Sequence, residues 1–163
     1  MVDARITDVA ARTFRIPTDS PEADGTLAWN ATTLVVVEIG AGGTFGLGYS
    51  YADPSAADIV TNVLTQVLRG QDAFAVPKLW LEMARAVRNI GWSGVCGCAI
   101  SAVDVGLWDL KARLLGLPLA TLLGLQRDEV AIYGAAASPP TRRNVLANSS
   151  PSGSSRTAAV GSR

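Results

Sequence analysis

Residues 32–51 constrain the fold of this chain more than any other stretch. Thr32-Thr33-Leu34-Val35-Val36-Val37-Glu38-Ile39 is apolar on both faces for most of its length, as a central strand would be. Gly40-Ala41-Gly42-Gly43 then offers the positive-φ positions of a hairpin turn. Phe45-Gly46-Leu47-Gly48-Tyr49-Ser50-Tyr51 returns, with an apolar or aromatic residue at every second position. Two strands joined by so short a turn pair antiparallel. Arg5 to Ile16, a mixture of β-branched and small residues, supplies an earlier strand that Pro17 is expected to end. The result is a three-stranded antiparallel meander. Thr18 to Asn30, rich in Pro, Gly and acid, is expected to be a long loop, the kind that often carries function.

Helical periodicity takes over after Asp53-Pro54, which reads as an N-cap followed by Pro at the first helical position. Ile59, Val60, Val63, Leu64, Val67 and Leu68 form the first apolar stripe, stopped by Gly70. A second helix begins near Pro77 with Leu79, Trp80, Met83, Val87 and Ile90, and Gly91 closes it. The third runs from about Val95 to Leu115, with Ile100, Val103, Leu107, Leu110 and Leu114 along one stripe. Gly97, Ala99, Ala102 and Gly106 lie on its other faces, where a neighbour can approach closely. Leu119 to Leu123 add one more turn, and Glu129 to Tyr133 reads as a last strand. Strands first and helices after is an α+β order: a meander followed by a three-to-four-helix bundle.

Composition closes off several function classes. The net charge is zero, 14 Lys+Arg against 14 Asp+Glu, which argues against a grip on nucleic acid or an acidic membrane. No His is present, so histidine bases, triads and His metal sites are absent. Cys96-Gly97-Cys98 has neither redox-motif spacing nor further ligands, and reads as buried small residues. Charged residues make up 17% of the chain, below the roughly 25% of an ordinary soluble domain. The start has no signal-peptide core and no run approaches a membrane span, so a cytoplasmic protein is expected.

The remaining signals for chemistry are weak. Gly40 and Gly42 would need a Gly at position 45 to make a dinucleotide fingerprint, and Phe45 stands there. Asp104 and Asp109 lie about 140° apart around the third helix, too far to act as an acid–base pair. Asp109 is placed to pair with Arg113, and Asp104 reads as a buried, hydrogen-bonded structural carboxylate. The four Trp are separated in sequence and suggest no stacking platform. No catalytic residue and no metal ligand is assigned from the residues themselves.

One resemblance adds to this reading. Arg88-Asn89-Ile90-Gly91, Gly94, and Ala99-Ile100-Ser101-Ala102-Val103-Asp104-Val105-Gly106-Leu107-Trp108-Asp109-Leu110-Lys111-Ala112-Arg113 lead into Gly116-Leu117-Pro118-Leu119 and Leu122-Leu123-Gly124. Together they strongly resemble the mandelate racemase/muconate lactonizing enzyme branch of the enolase superfamily. Thr32 to Val37 and Gly46 to Ser50 resemble the strands of the same family's capping domain. The resemblance implies an α+β N-terminal capping domain over residues 1–127 and the beginning of a first barrel strand over 128–137. It also implies that full-length relatives use Mg²⁺, held by three carboxylates on a barrel, to remove a proton α to a carboxylate. A racemase, dehydratase or cycloisomerase acting on a carboxylate, such as a sugar acid, is the implied parent.

This chain has no Asp or Glu after Glu129 and no Lys after Lys111, so the implied ligands and bases are missing and no cofactor is expected in the chain itself. Residues 138–163 are rich in Ser, Pro and Arg, read like an out-of-frame continuation, and are expected to be disordered. The expectation is therefore a truncated family member, inactive alone. The alternative is a non-catalytic capping module that binds a barrel-bearing subunit. Asp24, Trp29 and Tyr51 are the candidates for a substrate lid. Val105, Trp108 and Leu115, on further faces of the third helix, suggest self-association through that helix.

Overall fold

The hairpin forms where its glycines place it. In a computed structural model, which describes residues 3–131 and 157–159, β1 (Ile6–Ala23), β2 (Ala28–Ala41) and β3 (Thr44–Tyr51) make one sheet in the order β1-β2-β3. β2 and β3 pair antiparallel from Ala41↔Thr44 to Leu34↔Tyr51. Gly42 and Gly43 turn the chain at φ 58° and 74°, values that cost a side-chain-bearing residue energy.

The first strand is longer than its sequence suggests. Pro17 does not end it, and Thr18 to Asn30 is not an open loop. β1 is an edge strand, where a residue without an N–H costs no ladder bond if it faces outward. Only residues 24–27 remain as the turn between β1 and β2.

The helices follow as α1 (Ser55–Ile59), a π-helical turn (Val60–Leu64), α2 (Thr65–Leu68), α3 (Val76–Ala86), α4 (Val95–Leu115) and α5 (Leu119–Leu122). Asp53 caps the first of them: its Oδ1 accepts from the Ser55 N–H at 3.0 Å and its backbone carbonyl accepts from Ala56 N at 3.0 Å. At the π turn the Thr65 hydroxyl donates to the Val60 carbonyl at 2.9 Å. α3 stops at Ala86, short of Gly91, and Trp80 and Ile90 are exposed rather than part of its buried stripe of Leu79, Met83 and Val87. α4 has the predicted bounds and ends on Gly116 in the left-handed conformation.

Contacts divide the chain into two units: Met1–Ile16 with Thr32–Leu123, and Pro17–Ala31 with Gly124–Arg163. In the first, the core lies between the inner sheet face and the helices. Val35, Val37 and Ile39 of β2 are buried with Leu64, Leu68, Leu79, Met83, Ile100, Leu107 and Leu110. The start of β1 is tied to the segment after α2, through Ile6 N to the Gln71 carbonyl at 2.9 Å and Gly70 N to the Ile6 carbonyl at 2.8 Å. In the second unit, β4 (Glu129–Ala131) pairs antiparallel with β5 (Thr157–Ala159). There the backbone of residues 157–159 satisfies that of β4. The rest of 138–163 lies outside the described residues. No helix among the described residues is long and apolar enough to cross a membrane.

The seam between sheet and helices is made of glycine. Gly46 and Gly48 face α4, and a Cβ at Gly48 would run into the Ala102 carbonyl oxygen and lie 2.6 Å from Gly106 N. A Cβ at Gly46 would collide with the Gly106 carbonyl and the Leu110 backbone. Asp109 crosses the same seam: one carboxylate oxygen accepts from the Leu47 N–H and from Arg113 Nε, each at 2.8 Å. That confirms the Asp109–Arg113 pair and adds a role for Asp109, satisfying an edge-strand donor. Gly48→Ala is expected to destabilise the chain by at least about 3 kcal/mol, because backbone on the far side cannot yield as a side chain would. Urea denaturation of the two proteins measures this directly.

Candidate functional site

The end of the β1–β2 hairpin holds two of the three lid candidates. Asp24 closes the turn: its Oδ1 accepts from Thr26 N at 2.7 Å, Thr26 Oγ1 at 2.8 Å and Leu27 N at 2.8 Å, and its own N–H donates to the Leu27 carbonyl at 3.0 Å. Those bonds, the Thr26 amide first, hold the carboxyl below its ordinary pKa. Such a carboxylate is committed to backbone geometry. Trp29, on β2, donates its indole N–H to Glu22 Oε2 at 2.8 Å across the hairpin. Glu22 was not singled out in the sequence; its position seven residues before Trp29 acquires meaning only once 18–30 is a strand pair. Tyr51 stands at the end of β3, in the other unit, and meets Tyr49 edge to face at 6.3 Å.

Other candidates assemble less. An open groove of about 610 Å³ is lined by Asp3, Arg5, Gln71, Asp72 and Phe74. Its two carboxylates already accept neighbouring backbone N–H groups, Asp3 from Arg5 N and Asp72 from Phe74 N. Trp80 and Trp92 are distant in sequence yet meet at 5.4 Å with planes 65° apart. This edge-to-face packing offers no parallel platform for a base. Cys96 is buried and Cys98 half-buried, both as free thiols. Among the described residues, no group of three His, Cys, Asp or Glu could hold a metal ion. These residues therefore do not supply the three carboxylates that the family resemblance implies for Mg²⁺.

Asp104 departs from its sequence reading. It is half-buried on α4, and no hydrogen bond or ion pair holds its carboxylate among the described residues. Desolvation alone pushes its pKa up. Further along α4, Lys111 Nζ lies 5.0 Å from the centre of the Trp108 ring and donates to the Phe74 carbonyl at 3.1 Å.

Comparison with known proteins identifies the class to which this architecture belongs. Residues 2–124 match the description "Mandelate racemase / muconate lactonizing enzyme, N-terminal domain". The chain is a member of that family through its N-terminal domain. It is 36% identical over 109 residues to L-talarate/galactarate dehydratase of Salmonella typhimurium, covering 61% of this chain and 26% of that enzyme. It is 35% identical over 126 residues to 3,6-anhydro-alpha-L-galactonate cycloisomerase of Streptomyces coelicolor, covering 74% of this chain and 35% of that one. Among solved structures, a mandelate racemase/muconate lactonizing enzyme-like protein from Rubrobacter xylanophilus superposes with a TM-score of 0.79 at 47% identity. That match covers 83% of this chain and 38% of the Rubrobacter chain. The chain thus spans between about a quarter and two-fifths of these relatives.

Burial raises the pKa of Asp104 in the folded chain above its unfolded value. Between the unfolded and folded pKa values the native state binds more protons, so stability falls as pH rises through that window. Asp104→Asn is expected to raise the melting temperature at neutral pH by a few degrees at most, since solvent screens a half-exposed group. The gain should shrink as the pH drops into the carboxylate range. Calorimetric scans of both proteins across pH check this; an equal gain at acid and neutral pH would refute the assignment.

Proposed function

We propose that this chain is the capping part of a Mg²⁺-dependent dehydratase or cycloisomerase acting on a sugar acid, and that it is inactive by itself. The observation that carries the reading is the match of residues 2–124 to the N-terminal domain of a family whose relatives include talarate/galactarate dehydratase and a galactonate cycloisomerase. An L-talarate dehydratase from a Polaromonas species, solved with Mg and L-glucarate, is 34% identical with a TM-score of 0.69. Proton abstraction α to a carboxylate needs a divalent ion to take the developing charge, and a general base beside it. A cap contributes a different share: it closes over the site, excludes water and fixes the substrate.

On this reading the β1–β2 hairpin end is the lid. Trp29 is the side chain that would meet substrate, and Asp24 holds the turn that presents it; Tyr51, in the other unit, is a candidate by itself. The large face of Trp29 suits the C–H surface of a sugar acid. The Glu22 bond fixes the ring at little cost in side-chain entropy.

Two experiments test the reading. The purified chain with Mg²⁺ and galactarate or L-talarate is expected to give no turnover, and measurable turnover would overturn inactivity. Substituting Ala at the position equivalent to Trp29 in an intact relative is expected to lower kcat/KM about tenfold or more on its sugar acid. The equivalent of Asp24→Asn should do less than that of Asp24→Ala, since the amide oxygen still accepts from the turn. An unchanged kcat/KM for the Trp29 equivalent removes the lid assignment.

A further inference from the structure

The end of the β1–β2 hairpin carries acid and no base. Residues 17–31 contain Asp19, Glu22 and Asp24 but neither Lys nor Arg. Among the other described residues of the same unit, Arg127 is outnumbered by Asp128 and Glu129. Burial alternates along β1: Thr18, Ser20 and Glu22 are half-buried, while Pro17, Asp19, Pro21 and Ala23 are exposed. Successive residues of a strand face opposite ways, so the first three share one face. Trp29 joins that face through its bond to Glu22 Oε2 at 2.8 Å, and is half-buried between the exposed Ala28 and Asn30. The face therefore offers a ring, two hydroxyls and a carboxylate. Thr18 Oγ1 is buried with no hydrogen-bond partner among the described residues, a state that costs free energy until a partner is supplied.

We propose that this face selects sugar acids with a single carboxylate, and that Glu22 is the residue that turns a second carboxylate away. The inference rests on the lid reading of the hairpin. Among the described residues no group of carboxylates could hold a metal beside the reacting end of a substrate, so a lid built here meets the other end. That end is a hydroxymethyl group in a monocarboxylate sugar acid and a carboxylate in a dicarboxylate one. A hydroxyl both donates and accepts, so it can give its proton to the Glu22 carboxylate, and its neighbours can pair with Ser20 and Thr18. An ionised carboxylate only accepts. It would find no cation on the face, and would lie against an anion that the Trp29 indole N–H keeps in place.

The two tasks of Glu22 are separable. Holding the ring needs an acceptor oxygen, and repelling an anion needs a charge; Gln keeps the first and loses the second. Asp24, kept ionised by its turn donors, adds a second fixed negative charge at the hairpin end. Specificity is a difference of affinities, and a repulsive element against the wrong ligand supplies it without tighter contacts to the right one. Repulsion between partly exposed charges is screened by salt, with a Debye length of about 10 Å at 0.1 M. The rejection therefore has to weaken as salt rises, which a steric rejection would not do.

Two measurements test this. In the full 163-residue chain, the Trp29 indole N–H, identified by its loss in Trp29→Phe, is expected to be protected from hydrogen exchange. Glu22→Gln should keep that protection and Glu22→Ala should lower it about tenfold or more; equal protection in the two overturns the role of the bond. For selection, residues 17–31 are grafted into the intact Salmonella L-talarate/galactarate dehydratase. Galactarate and galactonate, which differ only in a terminal carboxylate or hydroxymethyl group, then compete against L-talarate turnover. Glu22→Gln in the graft should shift preference toward galactarate about tenfold, and by less at high salt. Asp19→Asn, on the opposite face, should shift it less. A preference unmoved by Glu22→Gln, or moved as far by Asp19→Asn, overturns the inference. Trp29→Ala separates it from the lid reading: weaker binding of both acids, with the preference unmoved by Glu22→Gln, sinks the selection alone, whereas unchanged binding of both sinks the lid. Should the graft not turn over L-talarate, Glu and then Gln placed at the single equivalent position of the same dehydratase give the same comparison.

Discussion

The approach of β3 to α4 governs the rest of the first unit. Two glycines on the strand, and Ala102 and Gly106 on the helix, let backbone meet backbone with no side chain between them. This gains dense packing at the cost of the ordering entropy of glycine, and leaves no room for adjustment. Because the helix lies so close, the Asp109 carboxylate reaches the Leu47 N–H and fills a vacancy at a sheet edge. An exposed strand edge invites pairing with other chains, and a carboxylate on its donor blunts it.

The same seam explains the distribution of apolar surface. With glycine facing the helix, the residues that alternate with it must face away, and in this sequence those residues are aromatic. The low charged fraction of the chain is therefore visible as the exposed row Phe45, Leu47, Tyr49 and Tyr51. α4 carries less of the surplus than its sequence suggests: Val105 and Leu115 are exposed, but Trp108 is partly buried and covered by Lys111.

Legibility in the sequence divided along a physical line. Elements with a strong local signal were readable: the glycine turn at 40–43, the stripe of Ile59 to Leu68, and α4 with both its ends. The small residues of α4 were recognised as a place for close approach. Which strand would approach was not readable, because period-two alternation identifies two faces without saying which is inside. The hairpin end at 17–31 was hidden by Pro17 and by turn-forming composition; a proline stops a central strand, but an edge strand tolerates it. Asp104 was read as hydrogen-bonded from its apolar neighbours. Burial can be inferred from neighbours in sequence, but partners come from elsewhere in the fold. The family emerged from the Ala99 to Arg113 pattern, which encodes both the seam and the helix. The lid residues rest on that family likeness, since nothing local in Asp24, Trp29 or Tyr51 marks a binding role.

Recasting 18–30 as a strand pair changes what a lid built on it can do. An irregular loop could fold around a ligand and pay its ordering entropy at that moment, with a loss of affinity. A hairpin closed by Asp24 and cross-linked by Trp29 to Glu22 has already been ordered. In the proposed lid its side chains would meet a substrate at fixed spacing, and selection among sugar acids would rest on shape rather than accommodation. The residue types agree with this division of work. The Asp24 carboxylate is turned inward to three donors, which in the proposed lid would leave Trp29 as the contact surface. A one-residue deletion at Asn30 would turn Trp29, and one within 18–21 would turn Glu22, to the opposite face of its strand, so strand register constrains this segment as strictly as chemistry would.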